Sequence, residues 1–238
     1  MGRPGRQCPR LSRLSGAARD PRAKAEEVCR RIRENYGDAI ASRRLPPVDE
    51  LVLTILSQNT NDINSGRAFE SLKSKFPTWE DVLVAPESEV AQAIRVSGAY
   101  HVKAKRIKST LAEIQKRVDR IDLSLLEHMP INEAKEWLSS LHGVGPKTAA
   151  IVLLFSFHRP VLPVDTHVWR ISRRLGLIGD HVSREKAHSV LQDLLPPSCV
   201  FHLNHNLVRH GRSVCRSQRP RCDVCFLSDL CDYAEQMS

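Results

Sequence analysis

The 238-residue chain is poor in aromatic side chains, at 5%, and holds only 11 Gly and 14 Pro, which excludes a collagen-like or Pro/Gly-rich low-complexity chain. Long apolar runs are missing: the longest, Ala149 to Phe157, already contains Ser156 and falls far short of the roughly 20 residues that span a bilayer. No transmembrane segment and no membrane partner are expected. Strict alternation of apolar and polar residues long enough for a strand is also missing, which argues against a sheet protein. Acids are scarce, with 27 Asp+Glu against 36 Lys+Arg and a formal charge of +9, so a polyanionic partner is suggested without being identified. With 41% hydrophobic and 26% charged residues, the chain has the material for an ordinary core.

What is present is helical periodicity from residue 23 onward. Ala25, Val28, Cys29 and Ile32 fall at i, i+3, i+4 and i+7, and Val48, Leu51, Val52, Ile55 and Leu56 repeat the spacing. Ile107, Leu111, Ile114 and Val118 share a face, as do Val164, Val168, Ile171, Leu175 and Ile178. Punctuation by Pro and Gly, from Pro46-Pro47 to Pro196-Pro197, divides the chain into about ten helices. The class is all-α. Residues 1–22 differ: six arginines (Arg3, Arg6, Arg10, Arg13, Arg19, Arg22) face one acid, Asp20, with no apolar period, so a disordered basic tail is expected. An organellar leader and a DNA-tethering arm would share that composition.

The seven cysteines stand at 8, 29, 199, 215, 222, 225 and 231, with four in the last 24 residues and no apolar signal peptide ahead of them. A secreted disulfide scaffold would spread an even set over a short chain, so an intracellular, reducing compartment and a C-terminal metal or cluster site are expected. Cys215, Cys222, Cys225 and Cys231 are separated by six, two and five residues, and spacing alone leaves zinc and iron-sulfur equally open. Cys29, on its helix's apolar stripe, reads as a small buried hydrophobe.

Gly143-Val144-Gly145-Pro146 separates two helical segments. Two glycines permit a tight turn with positive φ, and Pro146 suits the first helical position. The unpaired N–H groups that follow could hold a phosphate, although a plain helix–helix connection would look the same.

The order Leu141-His142-Gly143-Val144-Gly145-Pro146-Lys147-Thr148-Ala149, then Val164-Asp165-Thr166-His167, then His210-Gly211-Arg212 and the four cysteines resembles the endonuclease III family over residues 23–235. Members are helix-hairpin-helix DNA glycosylases that carry a [4Fe-4S] cluster, so the resemblance implies that Cys215, Cys222, Cys225 and Cys231 hold iron-sulfur. It also implies two helical lobes around a DNA cleft: residues 49–159 with the hairpin, and residues 23–48 with 160–238 around the cluster. Duplex DNA with damaged bases or abasic sites becomes the expected partner, and the enzyme is expected to act as a monomer.

The chemistry then falls on Lys147 and Asp165. A lysine amine that attacks C1′ of a deoxyribose displaces the flipped-out base, becomes a Schiff base and permits elimination of the 3′ phosphate. It must be neutral to attack, and a helix N-terminus beside a partly desolvated cleft disfavours its ammonium form. The Asp165 carboxylate would stabilise positive charge developing on the sugar, although Asp at a helix start is also an ordinary N-cap. His167 reads as structural.

Gln58 or Asn59, in Leu56-Ser57-Gln58-Asn59-Thr60-Asn61-Asp62, occupies the place of the family's glutamine that fills the gap left by the flipped nucleotide; an amide both donates to and accepts from the orphaned base. Thr54 stands near the position where adenine-specific relatives carry a catalytic Glu, which argues against adenine excision from mispairs. Gly143 and Gly145 are expected at phosphate, as are Arg216, Arg219 and Arg221, which lie between Cys215 and Cys222 with no acid among them. The expected activity is excision of oxidised pyrimidines with β-elimination. Excision of uracil or thymine from a mispair, and a DNA-binding module without turnover, are the alternatives.

Overall fold

The structure, a computed structural model, describes residues 20–39 and 45–237. Most of the expected tail, with Cys8, lies outside the described residues. Its last three positions correct the reading of a tail through residue 22: Asp20 accepts a hydrogen bond from the Arg22 N–H at 3.0 Å and, with Pro21 at the first helical position, starts helix α1 (Pro21–Tyr36).

Among the described residues there is no strand, and about ten expected helices become twelve. Helices α2 (Pro47–Ser57), α3 (Asp62–Lys75), α4 (Trp79–Val84), α5 (Glu87–Ala93), α6 (Tyr100–Val118) and α7 (Ile131–Ser139) lead to α8 (Pro146–Phe157). Then come α9 (Thr166–Arg174), α10 (Arg184–Leu194), α11 (Val200–Ser213) and α12 (Asp232–Met237). Their starts follow local chemistry. Asn61 caps α3 through a 2.8 Å bond from the Asn64 N–H, and Thr78 with Asp81 forms a reciprocal capping box on α4.

Two apolar cores form. The first buries Leu51, Ile55, Leu72, Ile107, Leu111 and Leu153; the second buries Val28, Ile32, Val168, Ile171, Leu203 and Leu207. Each of these side chains contributes roughly 1.5–3 kcal/mol by leaving water. Helix α8 serves both, since Val152 and Leu153 enter the first core while Leu154 enters the second. That explains why its sequence is apolar on nearly every side. The stripe through Val164, Val168, Ile171, Leu175 and Ile178 is wholly buried, yet α9 covers only its middle, because Asp165 starts the helix after Val164.

Between α8 and α9 the chain runs without secondary structure through buried Val161, Leu162 and Val164, so its backbone polar groups need side-chain partners. Gln192 supplies two, accepting from the Leu162 N–H at 3.0 Å and donating to the Pro160 carbonyl at 2.7 Å. His188 Nδ1 lies 3.1 Å from the Leu162 carbonyl, and Asn204 donates to that of Pro163 at 2.9 Å. Arg159 meanwhile caps the Leu126 and Met129 carbonyls at 2.8 and 2.5 Å. This segment delivers Asp165 to its position.

Cys29 is bonded to Cys199 in a disulfide that ties α1 to the turn before α11, which corrects the reading of Cys29 as a lone buried hydrophobe. In a reducing compartment the two would stand as adjacent thiols. No helix among the described residues is long and apolar enough to cross a membrane.

Burial holds the His188 imidazole below its ordinary range near 6.5. As pH falls the unfolded chain therefore takes up this proton first, so the stability tied to neutral His188 is complete above about pH 6.5 and is lost at lower pH. Chemical denaturation between pH 7 and pH 5 should show wild type losing more stability than His188→Gln, which keeps a donor for Leu162.

Candidate active site

The hairpin sits between α7 and α8. Gly143 takes φ +78°, whereas Gly145 lies in the extended region at φ −92°, so one of the two glycines, not both, serves the positive-φ turn. A methyl group on Gly143 would also stand 2.5 Å from Cδ of Arg106. Gly145 is the N-cap of α8 with no side chain to bond the first turn, and Pro146 is the first helical residue, as the sequence suggested. The N–H groups of Gly145, Lys147 and Thr148 have no acceptor inside the helix, which leaves a cradle of donors for an anion. The turn is clamped from α6: Glu113 accepts from the His142 N–H at 3.0 Å, and the Thr110 hydroxyl donates to the His142 carbonyl at 3.0 Å.

Lys147 is exposed, and its amine makes no hydrogen bond or ion pair with the described residues. The partly desolvated surroundings expected for it are absent from the free protein. Asp165 caps α9, with Oδ1 accepting from the Val168 N–H at 2.8 Å, while Oδ2 has no hydrogen-bond partner among the described residues. No ion pair joins Lys147 to Asp165; α8 and the buried segment that follows it set their separation.

His167 packs where Gly211 of α11 has no side chain: a Cβ there would fall 2.6 Å from His167 Nδ1. That accounts for the small residue in His210-Gly211-Arg212. Arg170 fastens the same junction, donating to the Gly211 carbonyl at 3.1 Å and to the Cys215 carbonyl at 2.9 Å.

In the turn after α2, Gln58 and Asn59 have separate fates. Gln58 is half-buried and accepts a hydrogen bond from Arg106, whereas Asn59 is exposed at φ +53°, a region that Asn tolerates better than most residues. Thr54, one turn earlier on α2, is buried, its hydroxyl 3.5 Å from the Glu50 carboxylate. From α11, Arg212 reaches Asp62 at 3.1 Å, an exposed ion pair bridging the two helical groups.

Cys215, Cys222, Cys225 and Cys231 line one cavity with Arg174 and Tyr233. Burial pushes the Cys225 thiol up to about 11 and raises Cys231 as well. Four thiols around one space fit a group that takes four thiolates and supplies positive charge; among the described residues no set of His, Cys, Asp or Glu is arranged for a single metal ion. His210 stands behind, buried and held down to about 4, with Nδ1 2.8 Å from the Tyr36 hydroxyl and Nε2 3.5 Å from Cys225 Sγ.

The loop between Cys215 and Cys222 presents Arg216, Arg219 and Arg221, all exposed and without side-chain partners among the described residues. Sequence reading missed what shapes this loop. Arg174 donates to the Arg216 and Ser217 carbonyls at 2.6 and 3.0 Å and approaches Cys215 Sγ at 3.3 Å. Arg170 and Arg174, four residues apart on α9, share a face, and that spacing was the available signal.

The family described as HhH-GPD superfamily base excision DNA repair protein matches residues 52–197. Endonuclease III of Thermotoga maritima is 34% identical over 210 residues, 88% of this chain and 91% of that one. Endonuclease III of Escherichia coli K12 is 30% identical over 91% of this chain and 98% of its own. An Arabidopsis thaliana protein carrying the name of a DNA glycosylase is 39% identical over 76% of this chain, which spans 64% of that relative's length. Among solved structures, a non-covalent endonuclease III–DNA complex superposes with a TM-score of 0.77 at 26% identity, covering 91% of this chain and 97% of that one. The trapped covalent endonuclease III–DNA intermediate gives 0.78 at 26% identity, covering 91% and 98%. The chain belongs to the HhH-GPD superfamily of base excision DNA repair proteins and, within it, to the endonuclease III family.

Gly211→Ala should be destabilised by about 1–3 kcal/mol, because the added methyl overpacks against the His167 ring. Thermal unfolding checks this, and an unchanged Tm would show that α9 and α11 can separate freely.

Proposed function

We propose that this protein is a DNA glycosylase with β-lyase activity that removes oxidised pyrimidines from duplex DNA as a monomer. The observation carrying the proposal is the free amine of Lys147, one residue inside the helix that the hairpin starts, in a chain of the endonuclease III family. The two apolar cores are read as two lobes, residues 49–159 and residues 23–48 with 160–238, with DNA between them.

Donors of the hairpin, at Gly143, Gly145 and the first turn of α8, take a backbone phosphate and thereby place Lys147 at the sugar. DNA covers the exposed amine and removes water from it, which favours the neutral form that attack requires. A bond forms from Lys147 Nζ to C1′ as the bond from C1′ to the base breaks. The sugar ring opens to the Schiff base; loss of a C2′ proton then expels the 3′ phosphate. Asp165 offers its free Oδ2 to the charge developing at the sugar and to the protons that move there, while Oδ1 keeps the side chain fixed on the helix. Asn59, exposed where Gln58 is held, enters the space left by the flipped nucleotide.

Cys215, Cys222, Cys225 and Cys231 would hold a [4Fe-4S] cluster, which supplies a charged, redox-capable core when bound. The arginines of the adjoining loop each take a phosphate, adding affinity without sequence choice.

Borohydride trapping on duplexes bearing thymine glycol, uracil or an abasic site tests the reading. Wild type should form an adduct with thymine glycol and abasic duplexes, and Lys147→Ala with neither. Asp165→Asn keeps an N-cap and hence stability, but should slow excision by about 10²–10⁴-fold. Absence of an adduct on the abasic duplex would overturn the lyase; adducts on uracil but not thymine glycol would move the substrate to uracil.

A further inference from the structure

Helix α6 carries Lys103, Arg106, Thr110 and Glu113 at spacings of three, four and three, so all four share one face across roughly 15 Å of helix. A row of polar groups there is costly unless each is bonded. All are, and their partners are three separate turns. Lys103, 4% exposed, donates to the carbonyls of Leu56 at 2.7 Å and Ser97 at 2.6 Å. It thus fastens the end of α2 to the Ser97–Ala99 turn. Thr110 and Glu113 hold His142 at the entry to the hairpin.

Arg106 stands between them and touches two of the turns. Its guanidinium donates to the Gln58 side chain, and its stem fills the space that a Cβ on Gly143 would need. The bond holds Gln58 back, which leaves Asn59 as the exposed amide of its turn. We propose that Arg106 is a positioning residue that couples the Gln58–Asn59 turn to the hairpin, so that phosphate capture by one and gap filling by the other occur in one fixed register. The inference rests on the proposed function, in which the hairpin takes a phosphate and Asn59 enters the duplex. The register matters because a misplacement of about 1 Å at a reacting centre costs on the order of 10²-fold in rate.

The test uses the full chain with Arg106→Met, which keeps most of the stem and removes the fork, Gln58→Ala, which removes the acceptor alone, and their combination. Three quantities are read: single-turnover excision of thymine glycol, affinity for a duplex with a tetrahydrofuran abasic analogue against an undamaged duplex, and fluorescence of 2-aminopurine opposite the lesion. Each single variant should slow excision about 10–100-fold and shrink the preference for the abasic analogue, with undamaged-duplex affinity within about 3-fold of wild type. The 2-aminopurine signal should change with them, and the double variant should be no worse than the poorer single, as expected for two groups acting through one bond. Additive losses would overturn the coupling. So would a loss equal on damaged and undamaged duplexes with a shallower salt slope, which marks a direct phosphate contact. Wild-type rates in both single variants would overturn it also. Wild-type trapping on an abasic duplex runs alongside: its failure removes the proposed function, and the coupling with it, whereas its success with unchanged variants removes the coupling alone.

Discussion

Everything at the site depends on α8 being buried along its length while its first turn stays open. One helix fills two cores, with Leu153 on one side and Leu154 on the other, so it cannot shift without disturbing both. Its N-terminus is consequently a fixed point at the surface. There the hairpin turns, the first N–H groups are free and Lys147 projects without a partner. Its C-terminus feeds the buried segment whose polar groups are met by His188, Gln192 and Asn204 and which ends at Asp165. Lys147 and Asp165 are thereby placed by core packing rather than by contact with each other.

The same economy governs the arginine-rich surface. The formal charge of +9 is unevenly distributed: six arginines against one acid in residues 1–22, and five arginines with no acid from Arg209 to Arg221. Within the second group the start of the cysteine loop is tied down, because Arg170 and Arg174 of α9 bond the carbonyls of Cys215, Arg216 and Ser217. The helix capped by Asp165 therefore also anchors the backbone from which Arg216 projects.

Features governed by neighbouring residues were readable from sequence. Helix starts at Pro47, Pro146 and Asp165 follow from capping and proline geometry, and the buried stripes follow from spacing. The hairpin was readable as a turn; that Gly143 alone takes positive φ was not, since two glycines offer the choice and the clamp from α6 decides it. Contacts between side chains and distant backbone stayed hidden. Lys103 bonds a carbonyl 47 residues away, and the Cys29–Cys199 bond spans 170, distances over which periodicity carries no information. The different settings of Gln58 and Asn59 are of this kind: Arg106, on another helix, bonds the first and not the second. The early start of α1 was missed for a different reason, because the arginine-rich composition of residues 1–22 outweighed the local Asp20-Pro21 signal.

The proposed function stands or falls with the free amine of Lys147 as nucleophile. Its most direct measurement is the mass of the proteolytic peptides of the protein after borohydride reduction on an abasic-site duplex and nuclease digestion. If Lys147 attacks the sugar, the reduced remnant is found on the peptide containing Lys147 and on no other. The remnant on a different lysine or on the N-terminal amine, with Lys147 unmodified, would contradict it.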